Sequence, residues 1–364
     1  MKVRKTRNAA KLALVVVLAV VAMGCNKIRG VERSAGTPLD NFESTTPESA
    51  GVQSEKLEEM LEYIDANDIE VHSIIIWRNG TIPFEMYFGD YNRNVSHNLK
   101  STSKGVISAL IGVAVDRGMI DLDDRVTDYF PEYQLSDPRK SQITVKHLLT
   151  MTAGLKWNEN DLNSMYTFFV SGNIARRVLN LPVVEDPGAE FNYSTASTHL
   201  LSAILSRATG MSTLEFADQY LFEPLGIENV MWETDRAGDY VGGSELFLTP
   251  RAMAAFGILY LNGGQFNGRQ IIPRKWVEVS TSPQIEGVFH GAAVEYGYLW
   301  WLRIDNPLFE YIDDDDSYLA LGVHGQRILI DQDQNAVVVI TANEAEEMKC
   351  DLLLRDFIVP AITD

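Results

Sequence analysis

Residues 100–112, KSTSKGVISALIG, place a serine three positions before a lysine at the start of an apolar segment. Apolar side chains over 106–115 fall on nearly every side of a helix, and Gly118 is a residue typical of the position just after a helix end. The pattern therefore predicts a buried helix that carries Ser101 and Lys104 on its first turn.

This spacing has a chemical reading and a structural one. Side chains three positions apart on a helix are neighbours, so Lys104 should face Ser101. Burial disfavours the ammonium form of a lysine and lowers its pKa, and the neutral amine can then accept the serine's proton. Backbone amides at a helix start stabilise the oxyanion that follows such an attack. The alternative is a serine that caps the helix beside a solvated lysine.

The composition is that of a globular protein with an acidic surface. The chain has 364 residues, of which 46% are hydrophobic and 22% charged, and its formal net charge is −19. This suits one large or two small domains. Lysine and arginine cluster only within the first eleven positions, so a phosphate backbone would be repelled and we expect no nucleic-acid partner.

The first 25 residues have the order of an export signal. Five basic residues precede an apolar run over 12–23, and Gly24-Cys25 follows. The run is short for a permanent membrane span, and a cysteine after a small residue resembles the lipobox of bacterial lipoproteins. We expect a lipoprotein signal peptide over 1–25, lipidation of Cys25, and anchoring to a bacterial membrane facing the periplasm or cell exterior. The alternative is an ordinary cleaved signal.

Composition divides the rest of the chain into two parts. Residues 26–51 are rich in Ser, Thr, Pro, Gly and charge, a composition that cannot bury enough apolar surface to fold alone. We expect a flexible tether there. One folded domain is expected over 52–364.

The domain has strand patterns near both ends and helical patterns in its middle. An amphipathic helix is expected after Ser54, Asn79-Gly80 between two β-rich runs predicts a hairpin, and 326–342 repeats the two-strand pattern. These features predict an α/β (α+β) fold, in which an antiparallel sheet is built from both ends of the chain and flanked by helices. An all-helical subdomain over about 121–245 is inserted, with a cleft where it meets the sheet.

Several long stretches resemble serine hydrolases related to class C β-lactamases, a group that includes penicillin-binding DD-peptidases, family VIII carboxylesterases and 6-aminohexanoate-dimer hydrolases. They include HNLKSTSKGVISALIGVAVDRG (97–118), ITVKHLLTMTAGLKW (143–157), PGAEFNYSTASTHLLSAI (187–204) and YVGGSELFLTPRAMAAFG (240–257). The chain looks most like the esterase and 6-aminohexanoate-dimer hydrolase side of the group. The resemblance implies a β-lactamase/DD-peptidase-like fold and an acyl-enzyme mechanism on small esters or amides, without a cofactor.

The resemblance also implies residue roles. Ser101 matches the acylated serine and Lys104 its general base, while Tyr193 in FNYSTAS matches the tyrosine of the family's Y-x-N element, which moves protons. A buried core tyrosine is the alternative for Tyr193. Thr195 stands where the family's asparagine holds a substrate amide. This departure argues against efficient binding of β-lactams.

The family's K-T-G element is expected within LALGVHGQRILID, residues 319–331. In this reading Gly325 takes the glycine position, and the Gln326 backbone N–H completes the oxyanion hole with that of the serine. Val323 then replaces the lysine that binds a substrate carboxylate. His324 replaces the threonine and offers a hydrogen bond to the substrate.

Other features of the sequence allow a functional or a purely structural explanation. Trp157 is expected to line the acyl pocket, as aromatic residues do in this family, while Trp300 and Trp301 are expected either to line it or to pack in the core. Arg327 or Arg303 is a candidate substitute cation. We expect the acidic run 313–316 to be a solvated loop, and the histidines lack the paired spacing of metal ligands, so no metal is expected.

The alternatives for function are a β-lactamase or DD-peptidase acting on cell-wall-type peptides, and a catalytically weak cell-wall-binding protein.

Overall fold

The computed structural model describes residues 27–31, 42–312 and 316–362. The predicted signal peptide with Cys25 lies outside the described residues, as do residues 313–315 of the acidic run. In the part of the chain that is described, no helix is long and apolar enough to cross a membrane.

The main sheet is antiparallel and draws on both ends of the domain, as the sequence predicts. Its eight strands in the described residues are, in order across the sheet, β3 (Thr81–Tyr87), β2 (Val71–Arg78), β14 (Ala336–Ala342), β13 (Gln326–Asp331), β12 (Ser317–Gly322), β11 (Trp301–Ile304), β10 (Ala292–Tyr296) and β9 (Ile285–Phe289). Asn79 and Gly80 form the turn between β2 and β3, both with the positive φ that a tight hairpin turn requires. The predicted α/β (α+β) fold with an antiparallel sheet is confirmed.

Helices cover the sheet and form the middle of the chain. Those in the described residues are α1 (Ser54–Ala66), α2 (Ser103–Asp116), α3 (Val145–Leu149), α4 (Leu162–Phe169), α5 (Ile174–Leu179), α6 (Thr195–Thr209), α7 (Thr213–Ala217), α8 (Glu223–Leu225), α9 (Pro250–Leu261), α10 (Arg274–Ser280), α11 (Met348–Leu353) and α12 (Val359–Ala361). The π-helical turns Asp218–Phe222 and Leu354–Ile358 join α7 to α8 and α11 to α12. Short 3-10 helices are Glu48–Ala50, Lys100–Thr102, Val126–Tyr129, Pro138–Gln142, Pro307–Ile312 and Val323–Gly325.

Two smaller sheets complete the described structure. One has the strand order β1 (Lys27–Val31), β5 (Val230–Thr234), β6 (Leu246–Leu248), β4 (His97–Asn98), and the other pairs β7 (Gln265–Phe266) with β8 (Arg269–Gln270). Part of the expected flexible tether is thus a strand, since β1 pairs with β5. Strand pairing uses backbone N–H and C=O groups, which a segment of any composition supplies. The expected helical insertion contains α3 to α8, but it is not all-helical because β5 also falls within it.

The helix α2 lies at the centre of the molecule, as its apolar pattern predicts. All residues from Ser103 to Ala114 are buried. Two glycines let aromatic rings approach its backbone: a Cβ at Gly105 would lie 3.1 Å from the ring of Trp300, and one at Gly112 only 2.3 Å from the ring of Trp276. This packing holds the first turn of α2 at a fixed place beside the sheet.

Candidate active site

The structure brings the serine and the lysine of the S-x-x-K motif into direct contact. Ser101 lies on the 3-10 turn Lys100–Thr102, and α2 begins two residues later at Ser103. The Nζ atom of Lys104 lies 2.8 Å from Ser101 Oγ. The side chain of Ser101 is half-buried, so its hydroxyl is accessible from the cavity described below.

Lys104 is buried, and polar atoms surround its amine on every side. Only 1% of the residue is exposed. Besides Ser101 Oγ, its Nζ contacts Thr195 Oγ1 at 3.0 Å and the carbonyl oxygen of Gly243 at 3.0 Å. Burial lowers the pKa of Lys104 to about 8, while the nearby Glu159 carboxylate acts in the opposite direction. A lysine in this state supplies a neutral amine within reach of a serine.

Tyr193 completes the group that the sequence predicts. It lies two residues before the start of α6, and the Lys104 Nζ atom is 4.9 Å from its ring centroid. Its ring packs against Trp301 and Phe289, each at 5.2 Å between centroids. Burial raises the pKa of the phenol, and the Glu159 carboxylate raises it further, whereas a hydrogen bond with Ser101 acts to lower it. Tyr193 is therefore a protonated phenol in contact with the serine.

Sequence reasoning missed Glu159, which lies in the same hydrogen-bond network. Its Oε2 atom accepts from the backbone N–H of Thr195 at 3.0 Å and from Trp157 Nε1 at 2.5 Å, and its Oε1 atom accepts from the Thr195 hydroxyl. In the sequence it is one of two acidic residues in KWNEND, with no spacing that sets it apart. Only the fold brings the loop after Trp157 to the start of α6.

Gly242-Gly243 was also missed as a site feature. The structure brings the carbonyl of Gly243 to Lys104, because the loop approaches α6 closely. A Cβ at Gly243 would lie 2.7 Å from Thr195 Cγ2, and one at Gly242 would lie 2.5 Å from the carbonyl oxygen of Thr198. Larger residues would push this loop, and its carbonyl, away from the lysine.

The expected positions of Gly325 and Gln326 need correction. A Cβ at Gly325 would lie 2.4 Å from Cys350 Sγ, so this glycine faces α11, and the Gln326 side chain is buried with its amide on the Ala342 carbonyl. The residues do not line the cavity beside Ser101. They lie on or after the 3-10 turn that ends β12, not on the strand that passes the serine.

Gly322, the last residue of β12, is the glycine that lies against the serine. A Cβ there would lie 2.7 Å from the Leu99 carbonyl oxygen and 3.2 Å from the Ser101 backbone nitrogen. Gly322 therefore takes the glycine position of the K-T-G element, and Ala320 and Leu321 take the lysine and threonine positions. Neither is charged, so the absence of a cation at the family's lysine position holds in this register as well.

A cavity of about 540 Å³ opens onto Ser101. Its apolar walls come from Phe169, Phe289, Trp301, Ile304, Phe309, Leu321 and Val323 among others. The charged residues that line it are Glu159, Glu233, Glu245, Glu347, Asp351, Lys100 and Arg327. His324 also lines it, with a pKa lowered chiefly by burial and further by the nearby Lys100. The lining thus carries more carboxylates than cations.

The candidate cations occupy different surroundings. Arg327 is 1% exposed, and its guanidinium is engaged by Asp351 through two contacts of 2.7 Å and by the Gly322 carbonyl. Arg303 is half exposed, faces Glu295 at 3.9 Å and is not part of the cavity lining. Lys100, directly before the serine, is the lining cation that sequence reasoning overlooked.

The aromatic residues divide differently from the expectation. Trp157 is buried against Phe168 and does not line the cavity, so its predicted role in substrate binding is corrected to one of packing and of holding Glu159. Trp301 lines the cavity, whereas Trp300 packs in the core against Tyr260.

One group of described residues brings potential metal ligands together away from this cavity. Donor atoms of His199, Asp235 and Asp239 lie within 4.8 Å of one another. The Asp235 oxygens already accept backbone N–H groups, that of Ile174 among them, and Asp239 faces the Arg207 guanidinium at 3.4 Å. Because protein donors engage both carboxylates, we assign no metal to this group.

Comparisons with known proteins agree with the fold and the motifs. The 6-aminohexanoate-dimer hydrolase of Paenarthrobacter ureafaciens is 25% identical over 288 residues, which are 73% of this chain and 71% of that relative. Esterase EstB of Burkholderia gladioli is 31% identical over 146 residues, which are 36% of this chain and 37% of EstB.

A solved structure, that of a candidate 6-aminohexanoate-dimer hydrolase from Bacillus anthracis, has a TM-score of 0.75 at 22% identity and covers 95% of this chain and 93% of its own. At this identity the likeness shows the shared fold. The sequence profile of the β-lactamase family matches residues 57–361, which includes the whole helix α2, Tyr193 and the strand beside Ser101. Because this match covers more than half of the chain, the chain belongs to the β-lactamase family.

Proposed function

We propose that the protein is a serine hydrolase that cleaves small ester or amide substrates through a covalent acyl-enzyme. The observation that carries the proposal is the 2.8 Å contact between the Ser101 hydroxyl and the buried Lys104 amine, at the mouth of an apolar cavity. Membership of the β-lactamase family supports the same chemistry.

In the acylation step, Ser101 Oγ attacks the carbonyl carbon of the substrate and its proton passes to the neutral Lys104 amine. The tetrahedral intermediate then collapses with cleavage of the bond to the leaving alcohol or amine. That group takes up a proton from the pair formed by Lys104 and the protonated Tyr193 phenol. The product is an ester between Ser101 and the acyl group.

In the deacylation step, water attacks the acyl carbonyl and gives a proton to the same Lys104–Tyr193 pair. The bond to Ser101 Oγ breaks, and Ser101 regains a proton from that pair. One water is consumed and one carboxylic acid is released. Both side chains return to their starting protonation states, so the cycle is balanced.

We assign the oxyanion hole to the backbone N–H groups of Ser101 and Val323, and no longer to Gln326. Gly322 lets β12 approach the Ser101 amide to a distance that a side chain would prevent, and the next amide along the chain is that of Val323. Val323 also lines the cavity. Two N–H donors aimed at one point stabilise the negative oxygen of the intermediate.

The charge of the cavity favours neutral or cationic substrates. Carboxylates outnumber cations in its lining, and Arg327 is already paired with Asp351. Substrates with a carboxylate beside the scissile amide, as in β-lactams and D-Ala-D-Ala peptides, would meet this negative lining. The asparagine that would hold their acyl-side amide is also replaced by Thr195, whose hydroxyl is engaged by Lys104 and Glu159.

The experiment that tests this function compares kcat/KM for p-nitrophenyl butyrate and nitrocefin on one preparation, together with labelling by a fluorophosphonate. We expect the ester to be favoured at least about tenfold, equivalent to about 1.4 kcal/mol of lost transition-state binding for nitrocefin. Ser101→Ala should abolish turnover and labelling. The matched control Ser103→Ala, whose hydroxyl bonds to the Lys100 carbonyl, should retain both.

Each alternative function predicts its own outcome in this experiment, extended by a binding assay with peptidoglycan peptides. Faster turnover of nitrocefin would favour a β-lactamase. Binding of peptidoglycan peptides without labelling of Ser101 would favour a cell-wall-binding protein. Turnover by the Ser101→Ala variant would show that Ser101 is not the nucleophile.

We further propose that the protein is exported and lipid-anchored at Cys25, to a bacterial membrane facing the periplasm or cell exterior. The support is the sequence alone: a basic start, a short apolar run, and a cysteine after a small residue. The membrane would then be a partner through the lipid.

A further inference from the structure

The Glu159 carboxylate fixes which group donates and which accepts in each hydrogen bond around Lys104. A carboxylate only accepts hydrogen bonds, so the Thr195 hydroxyl must donate to Glu159. The Thr195 oxygen is then left to accept from Lys104 Nζ at 3.0 Å. The Gly243 carbonyl oxygen, 3.0 Å from Lys104 Nζ, can likewise only accept a hydrogen bond from this amine.

These two acceptors use two of the tetrahedral directions of the Lys104 nitrogen. The remaining contact is with Ser101 Oγ, at 2.8 Å. In the neutral amine, which has two N–H groups and one electron pair, the electron pair must therefore lie toward Ser101. This is the orientation that a base needs in order to take the serine's proton.

We propose that Glu159 is a positioning residue for this hydrolase: by holding the hydrogen of the Thr195 hydroxyl, it directs the electron pair of neutral Lys104 toward Ser101. The inference rests on the proposed function. Thr195 thereby has a different task from the asparagine it replaces, because its hydroxyl links a carboxylate to the base. Glu159 is itself fixed by two N–H donors, from Thr195 and Trp157, on its other oxygen.

Glu159 also acts on Lys104 through its charge. Among the described residues, the titratable side chains that face Lys104 are Glu159 and the neutral phenol of Tyr193, with Glu245 farther along the cavity, where it accepts from Asn98. The Glu159 carboxylate raises the pKa of Lys104 against the larger, opposite effect of burial. Removal of this charge should lower the pKa of Lys104.

The variant Glu159→Gln reverses the hydrogen bonds with little change in shape. The glutamine oxygen is needed where the N–H groups of Thr195 and Trp157 meet, so its NH₂ group must face the Thr195 hydroxyl. That hydroxyl would then donate toward Lys104 and compete with Ser101 for the electron pair. A loss of rate and a shift of pH dependence should therefore appear together.

The test measures the rate of fluorophosphonate labelling, and kcat/KM for p-nitrophenyl butyrate, from pH 6 to pH 10. For Glu159→Gln we expect the limiting rate at high pH to fall about ten- to a hundredfold. We also expect the midpoint of the acid limb, the part of the pH–rate profile in which the rate falls as the pH is lowered, to move to lower pH than in the wild type. The matched control Glu190→Gln removes an exposed carboxylate three residues before Tyr193 and should change neither.

Substitutions of Thr195 test whether Glu159 acts through that hydroxyl. Thr195→Val should lose about as much rate as Glu159→Gln, and Thr195→Ser, which keeps the hydroxyl, should recover most of that loss. The double variant should lose no more than Thr195→Val alone, because the two residues act in one chain. The Thr195 pair keeps the test decisive if Glu159→Gln fails to fold.

Two results would overturn the inference. One is a Glu159→Gln variant with the wild-type rate and acid limb. The other is a Glu159→Gln variant that loses rate without any shift of the acid limb, and whose loss adds to that of Thr195→Val in the double variant. A merely structural role for Glu159 would give this result. A wild-type protein that the probe does not label at Ser101 would instead refute the proposed function.

Discussion

At the scale of single residues, the state of Lys104 sets the pH dependence of the reaction. With a pKa of about 8 for its amine, the neutral form is the minor species at pH 7 and the major one above pH 9. We therefore expect the wild-type labelling rate to fall about tenfold per pH unit below about pH 8 and to level off above it. Stopped-flow measurement of the fluorophosphonate labelling rate across this pH range tests the expectation directly.

Lys104→Arg supplies the matched variant for this prediction. A guanidinium keeps the positive charge but cannot become a neutral base, so the acylation rate should fall by about two to four orders of magnitude at every pH tested. The acid limb near pH 8 should disappear with it. A variant that kept the limb would show that another group, and not Lys104, takes the serine's proton.

At the scale of secondary-structure elements, close approaches at glycine decide where the site residues lie. Gly322 brings β12 to the Ser101 backbone, Gly243 brings a carbonyl to Lys104, and Gly105 and Gly112 let aromatic rings pack on α2. Each position lies in α2 or contacts the segment 99–104, which carries Ser101 and Lys104. The site therefore depends on how tightly α2 packs, as well as on the residues that it presents.

A substitution in α2 tests this dependence. Gly112→Ala places a methyl group where the Trp276 ring now lies, at 2.3 Å, and should lower the free energy of unfolding by about 1–3 kcal/mol. Urea unfolding should show a lower midpoint with an unchanged slope. The control Gly172→Ala, whose Cβ would meet only Arg236 Cδ at 3.9 Å, should have little effect. Equal midpoints for the two variants would contradict tight packing at α2.

At the scale of the whole molecule, the two parts of the fold meet at Ser101. The sheet contributes Gly322 and Trp301, and the middle of the chain contributes Glu159, Tyr193 and Thr195 to the same cavity. The helix α2 lies between them. A relative displacement of the two parts would separate the Val323 amide from Tyr193 and Thr195.

Attachment to a membrane is a prediction for the whole chain. Lipid chains contribute about 0.8 kcal/mol per buried CH₂ group, so a doubly acylated Cys25 should hold the mature protein in the membrane fraction. Cys25→Ser should release the protein or stall its processing, as fractionation and mass spectrometry will show. Cys350→Ala, which changes the buried cysteine of α11, is the control and should fractionate as the wild type does. A soluble wild-type protein that begins after residue 25 without lipid mass would exclude anchoring.

The sequence by itself determined the features that depend on local spacing. The apolar pattern of α2, the Ser101–Lys104 pair three residues apart and the Asn79-Gly80 turn follow from helix and hairpin geometry within a few residues. Tyr193 was predicted by the resemblance of its surrounding stretch to a family motif. The antiparallel sheet from both ends of the chain followed from the strand patterns.

Only the tertiary structure decided which distant residues meet. Thr195, at the start of α6, contacts Lys104 directly, and Glu159, on an earlier loop, is linked to Lys104 through Thr195; no local pattern encodes these contacts. Gly322 rather than Gly325 lies against Ser101 because the strand ends in a turn whose later residues face α11. Arg327, which the sequence offers as a substrate-binding cation, is instead buried on Asp351, since an unpaired charge is too costly in the interior.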